Sequence, residues 1–232
     1  MIFLTGDTHG RVAGGFDRIE KLCITNGTTI DDVIVILGDA GINFNGGLID
    51  CKKKLFLSEL PITLLCIHGN HEMRPDTIAT YKQVERFGGV CYVEDAYPNI
   101  LFAKDGEVYE LGGKSCIAIG GANSIDKHLR VAGVSWWPDE QPSVEIKERV
   151  EGVLYARGWS VDVVLTHTCP RNYMPREAFM PGVEQHLVDN DTEIWLDSIE
   201  QRLNYRAWFC GHFHIDKRDD KITFMSDDIR QL

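Results

Sequence analysis

Short apolar runs that stop at polar clusters recur along this chain and restrict what it can fold into. Residues 2–4, 33–37, 62–67, 161–165 and 207–210 are mostly β-branched, aromatic or otherwise apolar and too short for buried helices, so they read as buried strands. Each is followed within a few residues by side chains that ligate metals: Asp7-x-His9, Gly38-Asp39, Gly69-Asn70-His71-Glu72, His167 and Gly211-His212-x-His214. Further strands are expected at 100–103, 108–111, 116–119 and 222–225, and the closer spacing between about residues 90 and 120 suggests antiparallel pairing.

Helical patterns lie between these runs. Ser143 caps an expected helix carrying Ile146, Val150, Val153 and Leu154 and ending near Gly158; Asp191 opens another carrying Trp195, Ile199 and Leu203. Helices are also expected at 15–25, 48–58 and 76–86. The alternation predicts an α/β architecture with helices outside a sheet core. The least regular stretches, 120–142 and 169–191, are long connections close to the strands that carry the clusters, where function often resides.

With 232 residues, 44% hydrophobic and 25% charged, the chain has enough apolar material for one large core, so a single domain over 1–232 is expected. The apolar start is too short for a signal peptide and is interrupted by Asp7, and no stretch approaches the length of a membrane span, so a cytoplasmic protein without membrane contact is expected. Seven scattered cysteines with no C-x-x-C pair disfavour a disulfide framework or a thiolate zinc site. A net charge of -11 argues against a nonspecific grip on nucleic acid but not against a small phosphorylated substrate, because two divalent ions would locally outweigh Asp7, Asp39 and a hydroxide.

Taken singly, each of these histidines reads as an ordinary loop residue, and Asp39 as a turn or cap. Together, after strands, they form a ligand set large enough for two ions. The spacing of Asp7 with His9, and of His212 with His214, would let each pair project to one side of an extended segment. All the clusters should then gather at the carboxyl edge of the sheet. Imidazole nitrogen with carboxylate and amide oxygen, and no thiolate, suits Mn, Fe, Zn or Co with open positions, Mn being the first choice. Arg74 and Arg171 follow ligand clusters and are candidates to reach a substrate phosphate, as is Asn123 after another strand; surface or turn roles are the alternatives. One of Trp136 and Trp137 is a candidate to stack a nucleobase, against ordinary packing.

From Asp7 to His214 the chain resembles the calcineurin-like metallophosphoesterase superfamily. The resemblance implies two mixed β-sheets packed as a sandwich and flanked by helices. It also implies that Asp7, His9 and His214 hold one metal, that Asn70, His167 and His212 hold the other, and that Asp39 bridges them. His71 would be the catalytic histidine that binds no metal, with Glu72 as a supporting partner. Glu72 stands where many relatives carry Asp, Thr166-His167 replaces the frequent Gly-His, and the segment after Asp39 lacks the longer acidic-arginine signature of the Ser/Thr phosphatase branch. The implied activity is hydrolysis of phosphate mono- or diesters by a metal-bridging hydroxide, His71 protonating the leaving alkoxide. A nucleotide or nucleic-acid-end substrate is the alternative within that class, and a non-catalytic interaction scaffold on the same fold is the alternative outside it.

Overall fold

The computed structural model describes residues 1–11 and 14–232. These residues form two mixed sheets. The seven-stranded one contains β1 (Ile2–Thr5), β2 (Val33–Ile36), β3 (Thr63–Cys66), β4 (Tyr81–Arg86), β5 (Gly89–Glu94), β6 (Ile100–Ala103) and β13 (Ile229–Gln231), in the order β13-β1-β2-β3-β6-β5-β4. The six-stranded one contains β7 (Val108–Leu111), β8 (Lys114–Ile119), β9 (Val163–Thr166), β10 (Ala207–Cys210), β11 (Lys217–Asp219) and β12 (Ile222–Phe224), in the order β11-β12-β10-β9-β8-β7. In the first sheet β1, β2, β3 and β6 run parallel; in the second β12, β10, β9 and β8 do so. The remaining pairings, at the margins, are antiparallel.

Alternation along the central strands sorts side chains between two cores. Val33, Val35 and Leu37 join Leu65, Tyr109, Ala118 and Leu165 between the sheets. Ile34 and Ile36 point the other way, against Phe16 and Ile19 of α1 (Gly15–Asn26) and Leu57 of α2 (Gly47–Ser58). The outer face of the second sheet is covered by α3 (Val144–Ala156) and α4 (Asp191–Glu200), through Val150, Leu154, Trp195 and Ile199 against Val164 and Trp208. Burial on both faces is why these strands read as unbroken apolar runs. As expected, Ser143 caps α3, its hydroxyl oxygen accepting from the Ile146 amide at 3.3 Å.

One expected element is corrected. Residues 76–86 are not a helix: a single 3-10 turn, Pro75–Thr77, leads into β4, which forms a hairpin with β5. Phe87 and Gly88 make the turn with φ of 53° and 79°, the left-handed pair that matches strand twist. β4 lies at the sheet edge, so its Lys82, Gln83, Glu85 and Arg86 stay exposed and it lacks the apolar alternation of a half-buried strand. Among the described residues no helix is long and apolar enough to cross a membrane.

Candidate metal centre

The parallel strands of both sheets end at one place. β1 leads to Asp7 and His9, β2 to Asp39, β3 to Asn70 and His71, β9 to His167, and β10 to His212 and His214. Contacts across the sandwich show that these ends meet: the His212 amide donates to Asp7 Oδ2 at 2.9 Å, and His167 Nδ1 donates to the Leu37 carbonyl at 2.8 Å.

The paired ligands do not project from extended backbone as their spacing suggests. His9, Asp39, His212 and His214 have φ of 47°, 48°, 68° and 50°, a region that non-glycine residues seldom occupy, so turns and not pleats aim them. The loops are tied to one another. Asp39 Oδ1 accepts from the His71 amide at 2.8 Å, and its carbonyl accepts from the amides of Thr8 and His9. The fully buried Glu72 accepts from the Gly69 amide at 2.8 Å and the Ala40 amide at 3.1 Å, locking the loop after β3 to the loop after β2. Gly38 is required twice over: its φ is 94°, and a side-chain carbon there would enter the His167 ring.

Among the described residues two groups of side chains have ligand atoms close enough to hold an ion, Asp7 with His9 and His214, and Asp7 with Asp39 and His167. Asp7 is common to both groups, and Asp39 Oδ2, a member of the second, lies 3.9 Å from His9 Nε2 of the first and 3.7 Å from His167 Nε2. Asn70 Oδ1 sits 2.8 Å from His167 Nε2 and 3.1 Å from His212 Nδ1, while its amide nitrogen donates to Ser124 Oγ at 2.9 Å. His9 and His214 stack in parallel, Nε2 to Nε2, at 3.3 Å. His71 belongs to neither group; its Nε2 is 3.9 Å from Asp39 Oδ2, and its side chain is partly open.

Burial lowers the basicity of the imidazoles, bringing His9 to about 4 and His212 to about 3 and lowering His167, so these rings are neutral. Burial, with the nearby Asp39, holds the Asp7 carboxyl well above its usual range. Burial would raise Asp39 too, but positive charge on the surrounding rings of His167, His71 and His9, when present, and the hydrogen bond from the His71 amide favour its ionised form and hold it low. The set fits a divalent cation: neutral nitrogen donors, a reluctant carboxylate that positive charge would relieve, and the buried Asp7 Oδ1, which has no hydrogen-bond partner.

Beside the centre lies a cavity of about 410 Å³ whose floor includes Asp39, Asn70, His71 and His212. Its walls come mainly from the two long connections, through residues 123–130 and 174–190, with Glu193 of α4 and Phe213. Asn123 lines it, with Oδ1 accepting from Lys127 Nζ at 2.8 Å. Arg74 does not: its buried guanidinium pairs with Asp105 at 2.6 Å and donates to the Asp139 carbonyl. Arg171 is exposed and off the wall. Trp137 packs edge-on against Phe44, and neither it nor Trp136 lines the cavity.

Sequence reasoning missed Ser124, which orients Asn70; Arg18, whose Nη2 donates to the Asp7 carbonyl at 2.8 Å; and Glu193, which lines the cavity from α4. Ser124 did stand beside the flagged Asn123; Arg18 and Glu193 carried no local signal.

A family model for the calcineurin-like phosphoesterases matches residues 1–216. No curated protein matches the chain. Among solved structures, the protein of unknown function AQ665 from Aquifex aeolicus is similar at 15% identity over 72% of this chain and 80% of that one, with a TM-score of 0.36.

Proposed function

Since the chain belongs to the calcineurin-like phosphoesterase family, we propose that it is a two-metal phosphoesterase hydrolysing phosphate mono- or diesters of small molecules. The observation that carries this reading is the meeting of His167 Nε2 and Asn70 Oδ1 at 2.8 Å. With Nδ1 donating to the Leu37 carbonyl, the neutral ring turns an Nε2 lone pair toward the amide oxygen, and a shared cation would account for their approach. In this reading Asp7, His9 and His214 would hold one ion, Asn70, His167 and His212 the other, and Asp39 would serve both. Residues 1–232 then act as one catalytic domain, because both sheets supply ligands. All seven cysteines are free, which fits a reducing compartment such as the cytoplasm.

Divalent ions, Mn being the first choice, would supply Lewis acidity when bound, acidifying a water and offsetting charge on the phosphoryl oxygens. The protein's own residues do the positioning. The backbone amide of His71 is held by Asp39 Oδ1, which fixes the main chain from which its ring reaches the cavity, where it can give a proton to the leaving oxygen as the phosphorus–oxygen bond breaks. Glu72 holds the loops of Asp39 and His71 in register, so the proton donor and the ligand move together.

The test is elemental analysis of purified protein followed by an Mn-supplemented panel of aryl, alkyl and dinucleotide phosphoesters. Two ions per chain, with turnover abolished by chelation and by Asp39→Ala, are expected. A chain that takes up both ions and turns over none of the panel would point instead to a non-catalytic scaffold.

A further inference from the structure

Among the described residues three carboxylates besides Asp39 line the cavity, and two of them have cationic partners. Asp126 is gripped by Arg130 through two 2.7 Å contacts. Asp189 accepts from Gln141 Nε2 at 2.9 Å and from the Asp191 amide at 3.1 Å, and lies 3.9 Å from Lys127 Nζ. Glu193 has no such cation. Its Oε1 accepts from Thr168 Oγ1 at 2.7 Å, while Oε2 has no hydrogen-bond partner although the residue is only 3% exposed. Leaving a buried carboxylate oxygen unpaired is costly, and that cost is met when a donor arrives.

The same cavity is lined by Phe213, Met174 and Phe179, whose ring faces and thioether suit carbon chains and cations alike. Arg130, already bound to Asp126, is the one lysine or arginine among the described lining residues, so nothing on the wall is ready for a second phosphate. This arrangement disfavours a polyanionic leaving group.

We propose that the cavity receives the alcohol part of the phosphoester and that this alcohol is an amino alcohol, its N–H-bearing ammonium meeting Glu193 Oε2 and its carbons packing on Phe213, Met174 and Phe179. The inference rests on the phosphoesterase reading. Hydrolysis is balanced without a further reactant: water oxygen bonds to phosphorus, the bond from phosphorus to the amino alcohol breaks, and the departing oxygen takes a proton.

The test compares 2-aminoethyl phosphate with propyl phosphate, in which a methyl replaces the ammonium, and their nitrophenyl diesters, on the Mn-loaded chain. One charge-assisted hydrogen bond predicts a preference for the aminoethyl member of about tenfold in kcat/KM. That ratio should fall toward one in Glu193→Gln. Calorimetric binding of 2-aminoethylphosphonate against propylphosphonate gives the same comparison without turnover, and the wild-type chain alone decides it if the variant fails to fold. Equal binding and equal kcat/KM for the two esters, with nitrophenyl phosphate still hydrolysed, would overturn the ammonium site and leave the phosphoesterase reading standing. Absence of turnover on every ester, with both ions bound, would remove that reading and this inference with it.

Discussion

His167 Nε2 meets Asn70 Oδ1 at 2.8 Å across the junction of the two sheets. The other nitrogen of the ring, Nδ1, lies 2.8 Å from the Leu37 carbonyl, and because a carbonyl can only accept, Nδ1 carries the proton. Burial keeps the ring neutral, so Nε2 presents a lone pair to an amide oxygen that presents another. Two acceptors in contact repel unless positive charge stands beside both. The tautomer is therefore set by a backbone group far from the solvent, leaving Nε2 ready as a ligand.

Asn70→Ala removes the oxygen shared by His167 and His212 and leaves Asp7, His9 and His214 untouched. Metal content should fall from about two ions per chain to about one, since ligand deletion is expected to act on the site it serves. Elemental analysis after dialysis reads this directly. Retention of both ions would show that Asn70 is not a ligand.

His71→Asn should keep both ions, because His71 stands in neither of the proposed ligand sets. If its ring protonates the leaving oxygen, alkyl esters should lose activity by about 10²-fold, the lower end for a general acid. Nitrophenyl esters, which depart without help, should lose clearly less. Equal losses on the two substrate types would deny the ring that role.

Legibility in the sequence followed burial. β2 is apolar on both faces because Val33 and Val35 meet the opposite sheet while Ile34 and Ile36 meet helices, and that left an unmistakable run. β4 owes its conformation to six register pairs with β5, and its exposed Lys82, Glu85 and Arg86 carried no trace of them, so the stretch read as helix. The proposed ligands were legible because they stand just past legible strands. Their aim was not: positive φ at His9 and Asp39 belongs to loops tied through Asp39 and Glu72, and positive φ at His212 and His214 to a loop held by the His212 amide on Asp7. Arg74 looked available for phosphate only while its partner Asp105, far along the chain, was out of view.

Gly38 and Gly158 separate backbone cost from packing cost. Both have positive φ, 94° and 63°, but a side-chain carbon at Gly158 would meet open space whereas one at Gly38 would strike His167. Gly158→Ala should cost about 1 kcal/mol, the penalty of a left-handed alanine. Gly38→Ala should cost at least about 2 kcal/mol more, through overpacking, and should also reduce metal uptake. Urea unfolding of both variants, with metal analysis, checks the contrast; equal costs would mean that His167 moves aside freely.

Glu193 sets the last expectation, for stability against pH. Burial pushes its carboxyl from 4.5 up to about 7. A folded pKa above the unfolded one means that the folded chain holds the proton more tightly, so this contribution is complete below pH 4.5 and is lost as pH rises through 7. Relative to wild type, Glu193→Gln should thus gain stability between pH 5 and 8, by at most about 3 kcal/mol from a shift of this size. Chelated protein must be used so that metal binding does not enter the comparison. Parallel curves for the two chains would mean that the carboxylate is already compensated in the folded state, and would deprive the cavity of its one unpaired acid.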